Sequence, residues 1–337
     1  MEQTIRRAGL DLRNPTTDAL QKVASLLRAD DKKGIWLAAP SPLAIDEDRD
    51  QKIWGFDFYD SEVRGRRFVS ASGVIIATRL ESRETFADLV EEPKEPADPG
   101  AAPDTRALPR SESLLQFTVN LRERLGALPW RAGNYLVDVI LDSQTSNRLH
   151  FQITSGAAAE HDPVVAAFID QQRATTGAPK ALQPAPGLAG QWPNYRKSER
   201  SVALPAGIGV ALAAERVSVY RPGAHSILRG SFRLPVPAAF YLGGAGDGLA
   251  ATAAVPITLV MTGNLMTGPF VVPLRVASYD RVDRRAVEST VTGYFEVDLF
   301  ALPEASKVPQ TYTIWAYAGE TRSAPATAAI VSTDMLK

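Results

Sequence analysis

The stretch QFTVNL at positions 116–121 is matched by YFEVDL at positions 294–299, an offset of 178. Each stretch is followed by a Leu-Pro pair and then by a strand-like segment that a tyrosine opens: Leu128-Pro129 and Tyr135 in the first copy, Leu302-Pro303 and Tyr312 in the second. The offset between the two tyrosines is 177. Chance similarity between amphipathic strands less readily keeps order, spacing and a leading tyrosine over about 40 residues. The sequence therefore predicts a tandem duplication.

A strand, a corner that contains Leu and Pro, and a second strand opened by Tyr resemble the end of an immunoglobulin-like or fibronectin type III-like sandwich. In those folds the corner tyrosine forms a hydrogen bond back along the chain and fixes a connection between the sheets. The resemblance implies this structural role for Tyr135 and Tyr312. The alternative is that each tyrosine only packs on a sheet. The chain departs from antibody-type domains because it contains no cysteine.

The rest of the sequence fits a mainly β fold with two antiparallel immunoglobulin-like sandwiches in tandem. A short helix is predicted from Thr16 or Thr17 to about Arg28, and short runs rich in β-branched and aromatic residues follow from Gly34 onward. The predicted organisation is an N-terminal sandwich (1–160) with an acidic Pro-rich loop (81–110), a short helix and Pro/Gly-rich linker (161–200), and a C-terminal sandwich (201–337).

Composition excludes several classes of function. The 37 basic and 38 acidic residues leave a net charge of -1, so no overall positive field favours nucleic acid. The absence of cysteine excludes disulfides, thiolate nucleophiles and zinc-thiolate sites. The uncharged apolar run from Val202 to Ala214 is shorter than the roughly 20 residues of a membrane helix. The N-terminal sequence lacks the apolar stretch of an export signal, so we expect a cytoplasmic protein, with export of a processed form left open.

An acidic segment precedes one of the predicted strands. Asp46, Asp48 and Asp50 alternate in IDEDRDQKIWGFD, and alternating carboxylates in a loop can converge on calcium. An EF-hand loop needs Gly at its sixth position, where Gln51 stands, and a bidentate Glu at its twelfth, where Asp57 stands. We therefore expect a solvated acidic turn and no cofactor, with calcium on the three aspartates as the alternative.

No pattern of catalytic residues is present in the sequence. The three histidines, His150, His161 and His225, fall in a predicted strand, a loop and a turn, with no shared spacing. No G-x-S-x-G nucleophile elbow occurs. The glycine-rich YLGGAGDGLA segment (241–250) lacks the phosphate-binding fingerprint and is predicted to be an inter-strand loop. Carboxylates that meet only in the folded protein stay possible.

Aromatic residues are the remaining candidates for a binding surface. Trp192 and Tyr195 lie in the predicted linker beside Arg196, and exposed Trp and Tyr beside Arg are typical anchors for sugars or proteins. The alternative is that this pair fixes the linker between the domains. By alternation, Trp315 points to the face of its strand opposite to Tyr312, which makes it an interface candidate.

These observations favour a non-catalytic accessory or assembly protein that docks on another protein through sheet edges and loop tips, a step that rests on fold-level analogy. The first alternative is a carbohydrate-binding module that uses exposed tryptophans. The second is an enzyme whose site forms only in the fold. Protein docking predicts an exposed apolar patch or an unpaired strand edge. Sugar binding predicts coplanar aromatic rings, and an enzyme predicts a pocket with perturbed carboxylates.

Overall fold

The computed structural model of the chain is mainly β, with a short α-helix, which confirms this part of the prediction. The described residues are 16–29, 33–39, 43–44, 52–60, 73–89, 112–121, 132–141, 144–154, 202–221, 223–242, 250–263, 269–302 and 309–332. Contacts divide the chain into two units, the first formed by residues 1–77 and 86–168 and the second by residues 78–85 and 169–337. Within the described residues, no helix has the length and apolar composition needed to cross a membrane.

The first unit contains two sheets around one core. Its elements are α1 (Thr17–Ala29), β1 (Gly34–Ala38), β2 (Leu43–Ala44), β3 (Lys52–Asp60), β4 (Val74–Arg79), β5 (Thr85–Leu89), β6 (Glu112–Asn120), β7 (Gly133–Leu141), β8 (Gln144–Thr145) and β9 (Leu149–Thr154). The small sheet has the order β1-β3-β6, and the large sheet has the order β2-β9-β7-β4-β5, with β8 paired to β7. Buried apolar side chains from both sheets form a single cluster that includes Leu37, Ile53, Ile75, Phe117 and Tyr135.

The second unit has the same plan. Its strands are β10 (Gly209–Ala214), β11 (Val217–Tyr220), β12 (Ile227–Pro237), β13 (Tyr241–Leu242), β14 (Ala250–Gly263), β15 (Phe270–Asp283), β16 (Glu288–Asp298), β17 (Gln310–Ala318), β18 (Thr321–Arg322) and β19 (Ala326–Ser332), with 3-10 turns at Ala238–Phe240 and Leu299–Ala301. The small sheet is β10-β12-β16. The large sheet is β11-β19-β17-β14-β13, with β15 on β14 and β18 on β17. Both sheets contribute to one core cluster.

Strand registers recur between the units at fixed offsets. In β7–β9, Gly133 lies opposite Ile153, and in β17–β19, Gln310 lies opposite Ile330, so both partners recur at an offset of 177. The following hairpins agree in detail. The backbone N–H of Val139 donates to Ser146 Oγ at 2.8 Å in the first unit. Ala316 donates in the same way to Ser323 Oγ at 2.9 Å, again at an offset of 177.

Phenylalanine rings cover glycines on neighbouring strands of both small sheets. The pairs are Gly55 with Phe117 in the first unit, and Gly230 with Phe295 and Gly293 with Phe232 in the second. A Cβ placed on any of these glycines would overlap the ring. Glycine is required here because the aromatic ring occupies the space where its side chain would be, an arrangement that also compensates for glycine in a strand. The pairing Leu37–Gly55 recurs as Leu212–Gly230, at an offset of 175.

Helix α1 packs on the outer face of the first unit's small sheet. Leu20, Val23 and Leu27 recur at i, i+3 and i+7 on one face of the helix. These side chains form a separate buried cluster with Phe56, against which Trp36 and Trp54 are partly buried. The helix predicted from residue 16 or 17 to 28 therefore forms, and its role as a packing helix is clear.

One sequence prediction is wrong and others lie outside the described residues. The acidic loop predicted for 81–110 contains strand β5 at Thr85–Leu89. Phe86 packs against the first core, and Thr78 Oγ1 lies 3.0 Å from Thr85 Oγ1, so local packing outweighs the charged composition. Residues 90–110, and the helix and linker predicted for 161–200, are not among the described residues. The domain bounds built on them stay predictions.

We expect Gly230→Ala to destabilise the chain by about 1–3 kcal/mol, because the added methyl group overpacks against the Phe295 ring. Gly207→Ala is the matched control, since a Cβ at Gly207 meets no atom within 4 Å. That control should be neutral or slightly stabilising, because alanine restricts the unfolded chain. Urea unfolding midpoints measure both. Equal midpoints for the two variants would contradict the role of the Gly230–Phe295 pair.

Candidate functional site

Most of the binding residues predicted from the sequence lie outside the described residues. This holds for Trp192 and Tyr195 and for the calcium candidates Asp46, Asp48 and Asp50. Their roles stay predictions. Among the described residues, no group of three or more His, Cys, Asp or Glu side chains has the spacing of a metal site.

Trp315 is described, and its side chain is only 1% exposed. Its neighbours Tyr312, Ile314 and Ala316 belong to the core cluster, whereas Trp315 does not, as alternation along a strand requires. Its indole Nε1 is buried and has no hydrogen-bond partner among the described residues. Trp315 is therefore buried although it lies on the face of its strand opposite to the core. A binding role for Trp315 stays a prediction.

Tyr135 and Tyr312, the tyrosines at matching places in the sequence repeat, occupy equivalent positions in the two units. Tyr135 lies opposite Phe151 in the β7–β9 pair, and Tyr312 lies opposite Ala328 in β17–β19, at the same offset of 177. Both side chains are fully buried in the core of their own unit. Gln310 Nε2 donates a hydrogen bond to Tyr312 Oη at 2.5 Å. The corner role that the resemblance implies for both tyrosines stays a prediction.

Two of the four exposed large apolar side chains described in the second unit lie in the connection from β15 to β16, residues 279–288. This reversal of the chain, which we call the β15–β16 hairpin, joins strands of two different sheets that are not paired with each other. Tyr279 is 59% exposed and Val287 is 84% exposed. The Tyr279 ring meets the buried Tyr294 ring edge-on, with centroids 6.2 Å apart. Arg281 and Arg285 are also exposed on this hairpin. Tyrosine and arginine beside apolar side chains are enriched where proteins bind one another.

Local hydrogen bonds hold the base of this hairpin. The β14–β15 register shifts between Thr252 and Ala254, which is the mark of a β-bulge. The backbone N–H of Ala253, at the bulge, donates to Ser278 Oγ at 3.0 Å, and that hydroxyl donates to the Asp280 carbonyl at 2.7 Å. The bulge thus fixes the start of the hairpin.

A carboxylate closes the other side of the hairpin base. Asp280 Oδ2 accepts hydrogen bonds from the backbone N–H and the hydroxyl of Thr292, at 2.8 and 2.6 Å. At the tip, the side chain of Asp283 accepts a hydrogen bond from the backbone N–H of Arg285. The backbone carbonyl of Asp283 accepts a second one from the backbone N–H of Ala286. The hairpin presents Tyr279 and Val287 on a preorganised support, which lowers the entropy cost of binding.

Strand β15 pairs with β14, and no strand is paired to its other side among the described residues. Pro273 and Arg275 lie in the middle of this edge. Proline removes a backbone donor, and a charged side chain opposes a second strand, so both residues protect an edge from strand addition. Contact through the side chains of the hairpin is therefore favoured over main-chain pairing along β15.

The pairing of His225 with a carboxylate has a structural explanation. His225 Nδ1 lies 2.6 Å from Asp298 Oδ2, and His225 is 71% exposed against 12% for Asp298. Asp298 Oδ1 accepts from the backbone N–H groups of Ser226 and Phe300, both at 3.0 Å. The carboxylate thus closes the 3-10 turn after β16 onto the chain before β12. His150 is exposed on β9, and His161 is outside the described residues.

Arg83, in the segment 78–85 of the second unit, is the one non-glycine residue of the described chain with a left-handed backbone, at φ +58°. Its Nη2 donates to the Pro235 carbonyl at 2.6 Å, and its guanidinium lies 5.3 Å from the centre of the Phe240 ring. Burial lowers the pKa of Arg83, and the carboxylates of Glu288 and Glu320 oppose that shift. These contacts hold the Arg83 side chain against residues of the second unit.

No protein-family model matches the chain. A comparison with curated proteins finds no match either.

Sequence reasoning missed the hairpin as a candidate, although a pattern for it exists. After the apolar stretch of β15, the segment YDRVDRRAVE places charged residues around Tyr279 and Val287, whereas Val282 is buried in the core. Such a pattern indicates an exposed hairpin tip. The segment 279–288 contains no tryptophan, and for this reason it was not among the predicted binding residues.

We expect Asp298→Ala to destabilise the chain by about 1–3 kcal/mol, because two part-buried backbone N–H groups lose their acceptor. His225→Ala removes the exposed partner alone and should cost about 0.5 kcal/mol or less. Urea unfolding of both variants against the wild type measures the difference. If His225→Ala costs as much as Asp298→Ala, the histidine has a role beyond closing this turn.

Proposed function

We propose that the chain is a non-catalytic accessory protein that docks on another protein, and that its two units are immunoglobulin-like β-sandwiches in tandem. In that fold one sheet holds strands A, B and E, and the other has the order G-F-C with C′ beyond C. The small sheet β10-β12-β16 fits the first order, and β19-β17-β14-β15 fits the second. The recurring registers at offsets of 175 and 177 support a duplication of one such domain.

The observation that carries the docking proposal is the exposure of Tyr279 and Val287 on a hydrogen-bonded hairpin. An exposed tyrosine supplies a large contact area with few rotatable bonds, and neighbouring arginines add directional hydrogen bonds. The flanking charges, Arg281 and Asp283, form the polar rim that surrounds such contacts. The segment 279–288 therefore carries two exposed apolar side chains with charged residues next to them in the sequence.

The carbohydrate alternative receives less support from the described residues. A sugar platform needs aromatic rings that lie in one plane. The two described ring pairs, Tyr220 with Phe300 and Tyr279 with Tyr294, each meet at 84°. Edge-on rings serve packing rather than stacking on a sugar face. No observation on the described residues favours the enzyme alternative over docking.

The proposal predicts that a partner retained by the wild-type chain from a lysate of its source is lost with Tyr279→Ala/Val287→Asp. Each substitution removes an exposed apolar side chain, and truncating an anchor of an interface typically costs about 2 kcal/mol or more. Affinity capture with mass spectrometry measures retention, and thermal unfolding checks that the variant is folded.

Ile208→Asp is the control for this experiment, because Ile208 is also exposed and lies outside the hairpin. It should leave the partner bound. Equal retention by the two variants would contradict a contact through the hairpin. Retention of polysaccharide without a stoichiometric protein would favour the carbohydrate alternative.

A further inference from the structure

Strand β11 (Val217–Tyr220) is the last strand on one side of the second unit's large sheet. It pairs in parallel with β19, and no strand pairs with its other side among the residues that the structure describes. We call that side the open edge of β11. The strand contains no proline and no charged residue, whereas β15, at the opposite edge of the sheet, carries Pro273 and Arg275. Because proline and charge oppose strand pairing, β11 is the less protected of these two edges.

The pairing with β19 determines which backbone groups of β11 point outward. The Arg216 carbonyl accepts a hydrogen bond from the backbone N–H of Ala329 at 2.9 Å, and Val217 lies opposite Ala329. Because successive residues alternate in direction along a strand, Val217 and Val219 turn their N–H and C=O groups to the open edge. Within the described part of the chain, no hydrogen bond reaches these groups. The Val217 side chain is also 62% exposed, so this end of the edge is accessible to a second strand.

Two copies of β11 match each other when they run antiparallel about Ser218. In this alignment Val217 of one copy lies opposite Val219 of the other, so the outward backbone groups meet as a hydrogen-bonded pair. Glu215 of one copy lies opposite Arg221 of the other. These four residues share one face of the strand because they are spaced by two. Paired valines and opposite charges both stabilise an antiparallel sheet, and each pair occurs twice across a two-fold axis.

Glu215 and Arg221 are available for this contact. Arg221 is exposed and forms no ion pair among the described residues. The Glu215 side chain is 44% exposed and lies 3.9 Å from Arg229, which has a closer partner in Glu296 at 3.1 Å. Pairing with a second copy therefore gives the Glu215 carboxylate a counter-ion without separating a close ion pair.

We propose that the open edge of β11 pairs with β11 of a second copy of the chain, antiparallel and centred on Ser218. The large sheets of the two copies then form one continuous sheet across a two-fold axis. The occupant is a second copy because the strand is complementary to itself in its outward backbone groups, its valines and its flanking charges. This surface lies on a different strand from the β15–β16 hairpin and does not rest on the docking function proposed above.

Sedimentation equilibrium of the full chain tests the proposal. Arg221→Glu places a carboxylate opposite Glu215 at two places in the dimer, so it should raise the dimer dissociation constant about tenfold or more. Glu215→Arg sets two guanidinium groups against each other and should have the same effect. Arg285→Glu is the matched control, because Arg285 is exposed and lies outside the edge. It should leave the dissociation constant unchanged, and thermal unfolding verifies that each variant is folded.

Restoring opposite charges should restore the dimer. An equimolar mixture of the Arg221→Glu and Glu215→Arg chains should associate about as tightly as the wild type, because every carboxylate then meets a guanidinium group. Damage to the fold of one variant would not produce this recovery. A wild type that stays monomeric from micromolar to millimolar concentration would overturn the proposal, and so would a dimer that neither substitution weakens.

Amide hydrogen exchange tests the main-chain pairing itself. The amides of Val217 and Val219 should exchange about tenfold or more slowly in the wild-type dimer than in the Arg221→Glu chain, because pairing protects them. The amides of Ser218 and Tyr220 face β19 and should exchange alike in both chains. A dimer in which Val217 and Val219 are not protected would overturn strand pairing.

The hairpin and the open edge are tested independently. The Tyr279→Ala/Val287→Asp substitutions lie outside β11 and should leave the dimer dissociation constant unchanged. A loss of the dimer in this variant would contradict pairing through β11 alone, whereas a loss of a captured partner without loss of the dimer concerns the hairpin only.

Discussion

The contact between a phenylalanine ring and a glycine on the next strand is the constraint on which both units depend. Gly55 under Phe117 and Gly230 under Phe295 fix how the middle strand of each small sheet, β3 or β12, is aligned with its neighbour β6 or β16. A slip of one residue would bring a Cβ against the ring and turn every core side chain of the strand to the wrong face. The alignment in turn sets which side chains enter the core and which stay outside it, where α1 and the charged groups lie.

The units agree on the inside and differ on the outside. Buried positions keep equivalent side chains, as with Tyr135 and Tyr312, and even the hydroxyls of Ser146 and Ser323 accept the same backbone bond. Outer positions differ, with aromatic residues in the first unit where the second has small or polar ones, and residues 279–288 of the second unit carry exposed Tyr279. Packing restricts a core strongly and a surface weakly. The proposed docking surface therefore lies at outer positions, where the two units differ.

The sequence predicted what depends on local periodicity. The mainly β class and the helix that begins at Thr17 followed from spacing alone, and the offset between Tyr135 and Tyr312 recurs in the strand registers. Features set by distant residues could not be predicted. Alternation along the strand predicted which face Trp315 lies on, but it could not predict that the side chain is buried. The acidic composition after Glu81 concealed β5, and the contact of Asp298 with Ser226 joins residues 72 apart in sequence. The sequence of residues 279–288 has a pattern typical of an exposed segment, but the predicted binding residues were chosen around tryptophan.

The most direct test of the account is a nuclear magnetic resonance measurement of the glycine α-protons in a chain labelled selectively at glycine and phenylalanine. Gly55, Gly230 and Gly293 should each show an upfield ring-current shift and a nuclear Overhauser effect to a single phenylalanine ring, Phe117, Phe295 and Phe232 in turn. Contacts of this kind in both units would support two copies of one fold locked by the same contact. Their absence from either unit would contradict the duplication and the strand alignment built on it.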